Sequence, residues 1–132
     1  MMSKTYDFLA ECGTFFIATI NENAPAVRPF GAVMEIDGEL YFSTANYKDV
    51  YNQLINNPLL QIVALKAGTR DWIRIDGSAI EVSDLDTKQK MLEFCPVLQK
   101  RFDSSSCDYF ALFKIVDMTS VLSIGGEFIP LT

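Results

Sequence analysis

The dipeptide Asp37-Gly38 is the strongest local constraint on how this chain folds. Asp-Gly readily adopts the positive φ angles that a two-residue β-hairpin turn requires. The segments on either side, residues 26–36 and 39–44, have strand-like sequences. The sequence therefore predicts an antiparallel hairpin centred on this turn.

Further short strands are predicted along the chain, at residues 14–20, 59–65, 70–82, 109–116 and 119–124. Short helices are predicted at residues 3–12, at residues 49–57 and between Ser83 and Pro96. Six or so strands joined mainly by hairpins favour a mainly β fold, because an antiparallel barrel leaves few strand edges exposed. The length of 132 residues suits a single domain spanning residues 1–132.

Composition excludes several classes of function. The net charge of −6 disfavours binding to nucleic acid or anionic lipid. Every apolar run is too short to span a bilayer, so no membrane role is expected. The three cysteines form no CxxC pair and the N-terminus lacks the apolar core of a signal peptide, which is typical of a cytoplasmic protein.

The chain contains no histidine, so it lacks the commonest general base, zinc ligand and haem ligand. No metal site is expected, and the sequence identifies no catalytic residue. Mean hydropathy is +0.16, which is high for a chain of this size and indicates apolar surface that meets a partner subunit.

A candidate phosphate site lies between a predicted strand and a predicted helix. Ser43 and Thr44 supply hydroxyls, and Lys48 supplies an ammonium at the start of the helix. A cation there opposes the helix dipole unless an anion binds beside it. The alternative is that Lys48 is a solvated surface lysine and Thr44 or Asn46 an ordinary helix cap.

Two other segments are candidates for ligand contact. Pro29 removes a ladder donor within a strand-like run and so indicates a sheet edge or bulge, where Arg28 could offer its guanidinium to a phosphate or a ring edge. Trp72 and Arg74 share one strand face and could line a pocket for a planar ligand. The alternatives are that Arg28 faces solvent or pairs with one of the many carboxylates, and that Trp72 fills a barrel end.

Several of these segments together resemble one known family. They are VRPF at 27–30, LYFST at 40–44 leading to Lys48, the NP pair at 57–58 and WIRIDG at 72–77. In order and spacing they are similar to the pyridoxamine 5′-phosphate oxidase-related FMN-binding split barrels, especially the nitroimidazole-resistance (Nim)-like branch. The resemblance begins near ECGTFF at 11–16 and covers nearly the whole chain.

The resemblance implies a six-stranded antiparallel split β-barrel that binds FMN. It implies that Arg28, Ser43, Thr44 and Lys48 contact the phosphate and ribityl chain. Along the isoalloxazine it implies contacts from Val27, Pro29 and Phe30. It also implies that Trp72 presents a side chain to the flavin, followed by Arg74.

The resemblance further implies a homodimer with the flavin site at the subunit interface, and an FMN-dependent oxidoreductase that passes electrons from NADH or NADPH to a small-molecule acceptor. The alternatives are a non-catalytic flavin-binding or carrier protein and a barrel that has lost its cofactor. The deazaflavin F420 is a minor alternative to FMN. The chain has no counterpart of the C-terminal substrate-binding segment of true pyridoxamine-phosphate oxidases, so vitamin B6 oxidation is not inferred.

Overall fold

A computed structural model describes residues 2–131 of the chain. Its helices are α1 (Lys4–Cys12), α2 (Asp49–Asn56), α3 (Leu85–Phe94) and a short 3₁₀ helix (Pro96–Lys100). Its strands are β1 (Phe15–Asn21), β2 (Ala24–Phe30), β3 (Met34–Ile36), β4 (Glu39–Ala45), β5 (Leu59–Leu65), β6 (Trp72–Val82), β7 (Phe110–Ile124) and β8 (Glu127–Pro130).

The Asp37-Gly38 hairpin forms as the sequence predicts. The two residues have φ angles of 51° and 82°. Ile36 pairs with Glu39 across the turn, so β3 and β4 are joined by a two-residue loop. Positive φ at both loop positions matches the right-handed twist of the flanking strands.

The eight strands form one antiparallel sheet in the order β2-β1-β5-β6-β7-β4-β3, with β8 paired to β7. The two terminal strands of this path, β2 and β3, are not hydrogen-bonded to each other. The sheet nevertheless curls until its two ends meet. The contact between Phe30 of β2 and Phe42 of β4, at a ring-centroid distance of 5.7 Å, shows that these ends are adjacent. This is a mainly β split barrel with peripheral helices, as predicted, with eight strands rather than six.

Two of the predicted strand boundaries are wrong. The predicted strand at residues 26–36 is broken at residues 31–33, where the chain leaves β2 at one end of the sheet and enters β3 at the other. The two predicted strands at 109–116 and 119–124 are one strand, β7, which continues through Asp117 although that residue has a φ of 52°. The sequence prediction also missed β8, which follows a Gly125-Gly126 hairpin turn.

Two clusters of buried side chains lie on either side of β4. Phe42 belongs to the larger cluster inside the barrel, with residues of β1, β5, β6 and α2. Tyr41 and Ala45 belong to a smaller cluster that packs against α3 and the segment after it. Both faces of β4 are therefore covered, which fixes the strand firmly beside the split.

The helices among residues 2–131 include none with the length and hydrophobicity of a membrane-spanning segment.

Candidate functional site

A cavity of about 520 Å³ opens at the split in the barrel, between β2 and the second half of β4. β3 pairs with β4 only over Glu39–Tyr41, so one edge of the later residues of β4 carries no neighbouring strand. Six of the predicted site residues line this cavity: Arg28, Pro29, Phe30, Ser43, Thr44 and Lys48. The volume lies within the range of about 300–1,000 Å³ that is usual for small-molecule sites.

Ser43 and Thr44 bring hydroxyl groups to the cavity from opposite faces of β4. As neighbours in a strand they point to opposite sides, Thr44 on the side of Phe42 and Ser43 on the side of Tyr41. Both residues are largely buried, and within residues 2–131 neither hydroxyl has a hydrogen-bond partner. Since no buried side-chain polar atom of the described residues lacks a partner, the two hydroxyl oxygens remain accessible and can bind water or a ligand.

Arg28 is held in place by β1 and α2. Its Nη1 donates to the carbonyl of Ile17 at 3.1 Å and to Oγ1 of Thr19 at 2.9 Å. Its Nη2 donates to Oε1 of Gln53 at 2.7 Å. Three of the five guanidinium N–H groups are thus used, and the remaining two have no acceptor within residues 2–131. Arg28 can therefore bind an anion without losing its protein contacts.

Burial lowers the pKa of Arg28, and the nearby Asp49 carboxylate opposes that effect. An arginine so placed remains charged at neutral pH, because its intrinsic pKa lies far above 7.

Pro29 lies in β2, which is an edge strand of the sheet. A proline is compatible with an edge strand because it has no N–H to donate to a neighbouring strand. This confirms the sheet edge that the proline predicts.

Lys48 immediately precedes α2, at its N-cap position, and makes no side-chain capping hydrogen bond. Within residues 2–131 no carboxylate lies within 4.0 Å of its ammonium group. Its charge therefore remains available to an anion bound in the cavity, at a helix end whose free N–H groups also favour anions.

The far wall of the cavity comes from a region that the sequence analysis did not implicate. The 3₁₀ helix and the residues after it contribute Val97, Leu98, Arg101 and Phe102. From the sequence, no site residue is predicted in the segment after Pro96. The one available signal was the RF pair at 101–102, which puts a cation next to a large apolar side chain that is buried in the fold.

Three predicted site residues do not line this cavity. Val27 lies on the opposite face of β2 from Arg28 and is 65% exposed. Trp72 and Arg74 lie on β6, where the guanidinium is 5.9 Å from the indole centroid and 3.8 Å from the Asp76 carboxylate. Trp72 also contacts Phe128 edge to face at 6.0 Å. These three side chains share the outer face of the sheet.

The cavity thus combines three cationic side chains, two unpartnered hydroxyls and an apolar wall that includes Phe30. The cations are Arg28, Lys48 and Arg101. Cations and hydroxyls together bind phosphate, and the apolar wall suits a planar ring. A phosphorylated ligand with a flat ring system fits these residues.

Comparison with known proteins gives the family. Residues 1–106 match the family model described as pyridoxamine 5′-phosphate oxidase. A NimC/NimA family protein from Clostridium acetobutylicum is 32% identical and has a similar structure, with a TM-score of 0.91 over 97% of this chain and 89% of that one. A comparison with curated protein sequences gave no match.

More distant structures share the fold. A pyridoxamine 5′-phosphate oxidase-related, FMN binding protein from Nostoc punctiforme has a TM-score of 0.62 at 17% identity, over 94% of this chain and 88% of that one. General Stress Protein 26 from Bacillus anthracis has a TM-score of 0.72 at 22% identity, covering 89% of this chain and 88% of that one. The chain therefore belongs to the pyridoxamine 5′-phosphate oxidase-related split-barrel family, in its Nim-like branch.

Proposed function

We propose that this chain is a cytoplasmic FMN-binding flavoprotein, with residues 1–132 forming a single flavin-binding domain. The observation that carries the proposal is that Ser43, Thr44 and Lys48 line one cavity with Arg28. Within residues 2–131 the two hydroxyls have no hydrogen-bond partner and Lys48 has no carboxylate within 4.0 Å. Hydroxyls and positive charge gathered in one cavity of an acidic protein favour a bound phosphate group.

In this proposal Ser43, Thr44, Lys48 and Arg28 hold the phosphate and ribityl chain of FMN. Phe30 and Pro29 lie along the isoalloxazine, since both line the cavity beside the phosphate-binding residues. Bound FMN would supply two-electron chemistry, accepting hydride from NADH or NADPH and reducing a small-molecule acceptor. Positive charge near the flavin, from Arg28 or Arg74, would stabilise the anionic reduced ring.

The proposal includes a homodimer that forms through the outer face of the sheet. One row of neighbouring residues crosses this face from Pro29 through Phe16, Val63 and Arg74 to Val121. Phe16 is 45% exposed and Val63 36% exposed, which is unfavourable for apolar side chains unless another surface covers them. A second copy on this face would bring Val27, Trp72 and Arg74 towards the flavin site of its partner.

The first experiment is a visible absorption spectrum of the purified protein, followed by acid release of the chromophore and its identification by mass. FMN at about one per subunit supports the proposal. Release of F420 would show that the bound cofactor is the deazaflavin and not FMN. A colourless protein that takes up neither cofactor would contradict flavin binding.

A second measurement separates an oxidoreductase from a flavin carrier. NADH and NADPH oxidation is followed in the presence of an acceptor, with the same concentration of free FMN as the reference. A rate clearly above that of free FMN supports turnover, whereas an equal rate favours the carrier.

A further inference from the structure

A second cavity of about 370 Å³ adjoins the first one. It is lined by Ala45, Tyr47, Lys48, Arg101, Phe102 and Tyr109. Four of these residues also line the first cavity, so the two spaces are continuous. Only Tyr47 and Tyr109 belong to the second cavity alone.

Aromatic rings form one wall of this second cavity. The centroids of Tyr47 and Tyr109 are 5.9 Å apart, and those of Phe102 and Tyr109 are 5.7 Å apart. The hydroxyl of Tyr109 donates to the carbonyl of Arg101 at 3.0 Å, which fixes this ring. Tyr47 is 71% exposed and Tyr109 41% exposed, so their rings are available to a ligand. Planar rings stack on such surfaces favourably.

The cavity also carries positive charge. Within residues 2–131, neither Arg101 nor Lys48 has a carboxylate within 4.0 Å. The chain as a whole has a net charge of −6, so two unpaired cations in one cavity are unusual for it. A hydrogen bond with Cys107 and the nearby Asp103 raise the pKa of Tyr109, so this phenol remains neutral at pH 7.

We propose that the second cavity binds a small aromatic anion, with its ring against Tyr47 and Tyr109 and its anionic group at Arg101. Lys48 is assigned to the FMN phosphate, so Arg101 is the cation of this cavity that remains for the second ligand when FMN is bound. A carboxylate or a phosphate on the ring satisfies that charge. Binding of this ligand does not depend on the proposed function.

The test uses isothermal titration calorimetry with the full chain, both loaded with FMN and without added flavin. The probes are benzoate and phenyl phosphate. Benzyl alcohol supplies a ring without charge, and acetate and inorganic phosphate supply charge without a ring. Both aromatic anions should bind saturably to the loaded protein at about one per chain and at least about tenfold more tightly than these three controls. The tighter of the two identifies the preferred anionic group.

Two variants test the two halves of the site. Arg101→Gln removes the charge at similar size, and Tyr47→Ala removes an exposed ring that does not line the first cavity. Each should weaken binding of the aromatic anions by about tenfold. Lys100→Gln is the matched control, because this neighbouring exposed cation lines neither cavity, and it should bind the probes like the unmodified chain.

The inference is overturned if neither anion binds saturably, or if both variants bind them as tightly as the control. It is also overturned if the anions bind only without flavin and compete with FMN, because the second cavity would then be part of the flavin site. If the protein does not bind FMN, the proposed function fails, and titration of the flavin-free chain and its variants still decides the inference.

Discussion

At the scale of single residues, Arg28 shows how the fold can hold a strand side chain ready for a ligand. Thr19 and Gln53 accept hydrogen bonds from its guanidinium and fix its direction. Oε1 of Gln53 accepts from both Arg28 and Thr19. The side chain therefore loses little further conformational entropy when it binds an anion.

Replacing Arg28 with Ala should weaken FMN binding by about tenfold or more, because a charge-assisted contact to phosphate is lost. The dissociation constant is measured by flavin fluorescence titration. Arg70→Ala is the control, since Arg70 is exposed and does not line the cavity. Equal affinity of the two variants, at equal melting temperature, would remove Arg28 from the site.

Gly77 matters for packing rather than for ligand binding. A Cβ at this position would lie 2.7 Å from Cγ2 of Ile115 and 3.0 Å from the carbonyl oxygen of Val116. Gly77 also lies where the pairing of β6 with β7 shifts register, between Asp76 and Ser78. Only a residue without a side chain allows the strands to approach this closely.

Gly77→Ala should lower the free energy of unfolding by about 1–3 kcal/mol, the usual cost of overpacking a core. Chemical denaturation followed by circular dichroism measures it. Gly31→Ala is the matched control, because a Cβ there would meet only the carbonyl oxygen of Gly13 at 3.8 Å. A loss of stability as large in the control would show that close packing at Gly77 is not the cause.

At the scale of elements, α3 begins at a single capping residue. Asp84 is the N-cap, one residue after the predicted start of the helix at Ser83. Its carboxylate accepts from the backbone N–H of Thr87 at 2.9 Å and from the Thr87 hydroxyl at 2.6 Å. Hydrogen bonds from the Thr87 side chain and backbone lower the pKa of Asp84. Its ionised form is therefore favoured in the folded state.

Asp84→Ala should destabilise the protein at pH 7, and the deficit should shrink as the pH falls. A carboxyl whose pKa is lowered by folding stabilises above its unfolded pKa of about 3.9 and loses that contribution as the pH falls through the folded value. Thermal melting between pH 7 and pH 3 measures this. Asp84→Asn keeps the capping acceptor but does not titrate. The stability difference between Asp84→Ala and Asp84→Asn should therefore stay constant with pH. A deficit of Asp84→Ala relative to the unmodified protein that also stays constant with pH would contradict the assignment.

The elements also show what a sequence can predict. The Asp37-Gly38 hairpin, β5 and α2 were predicted closely, because local turn chemistry, alternation and a stop before Pro58 determine them. The break after Phe30 was not predicted, since residues 31–33 are small or apolar and their departure from the strand depends on where the two ends of the sheet lie. The continuity of β7 through Asp117 was missed for a similar reason, because a positive φ at aspartate is set by tertiary pairing.

The candidate site, like the fold, could be predicted only in part from the sequence. Arg28, Ser43, Thr44 and Lys48, which are proposed to bind phosphate, could be named from the sequence and its family resemblance. The structure brings these four residues to one cavity. The contribution of Arg101 and Phe102 could not be predicted from the sequence, because only the packing of the 3₁₀ helix against the barrel brings them to the split.

At the scale of the whole molecule, the outer face of the sheet is the surface that a second copy would cover. Val63→Lys places a charge at its centre, between Phe16 and Arg74. An exposed strand position tolerates lysine, so the chain should fold. The dissociation constant of the proposed dimer should rise by at least about tenfold.

Analytical ultracentrifugation measures this change, and FMN affinity should fall with it if Val27, Trp72 and Arg74 act on the site of the partner. Leu85→Lys is the control, since Leu85 is 54% exposed on α3, away from this face. A Val63→Lys protein that remains dimeric would exclude this face as the interface.

The length of β7 has a consequence for synthesis of the protein. This strand pairs with β4, β6 and β8, and its first pair joins Phe110 to Ala45. Until β7 has left the ribosome, β4 and β6 each have an unpaired edge and the two halves of the sheet are not connected. Closure of the barrel must therefore wait until residues 110–124 have been translated, and until then the open edges of β4 and β6 can pair with other chains.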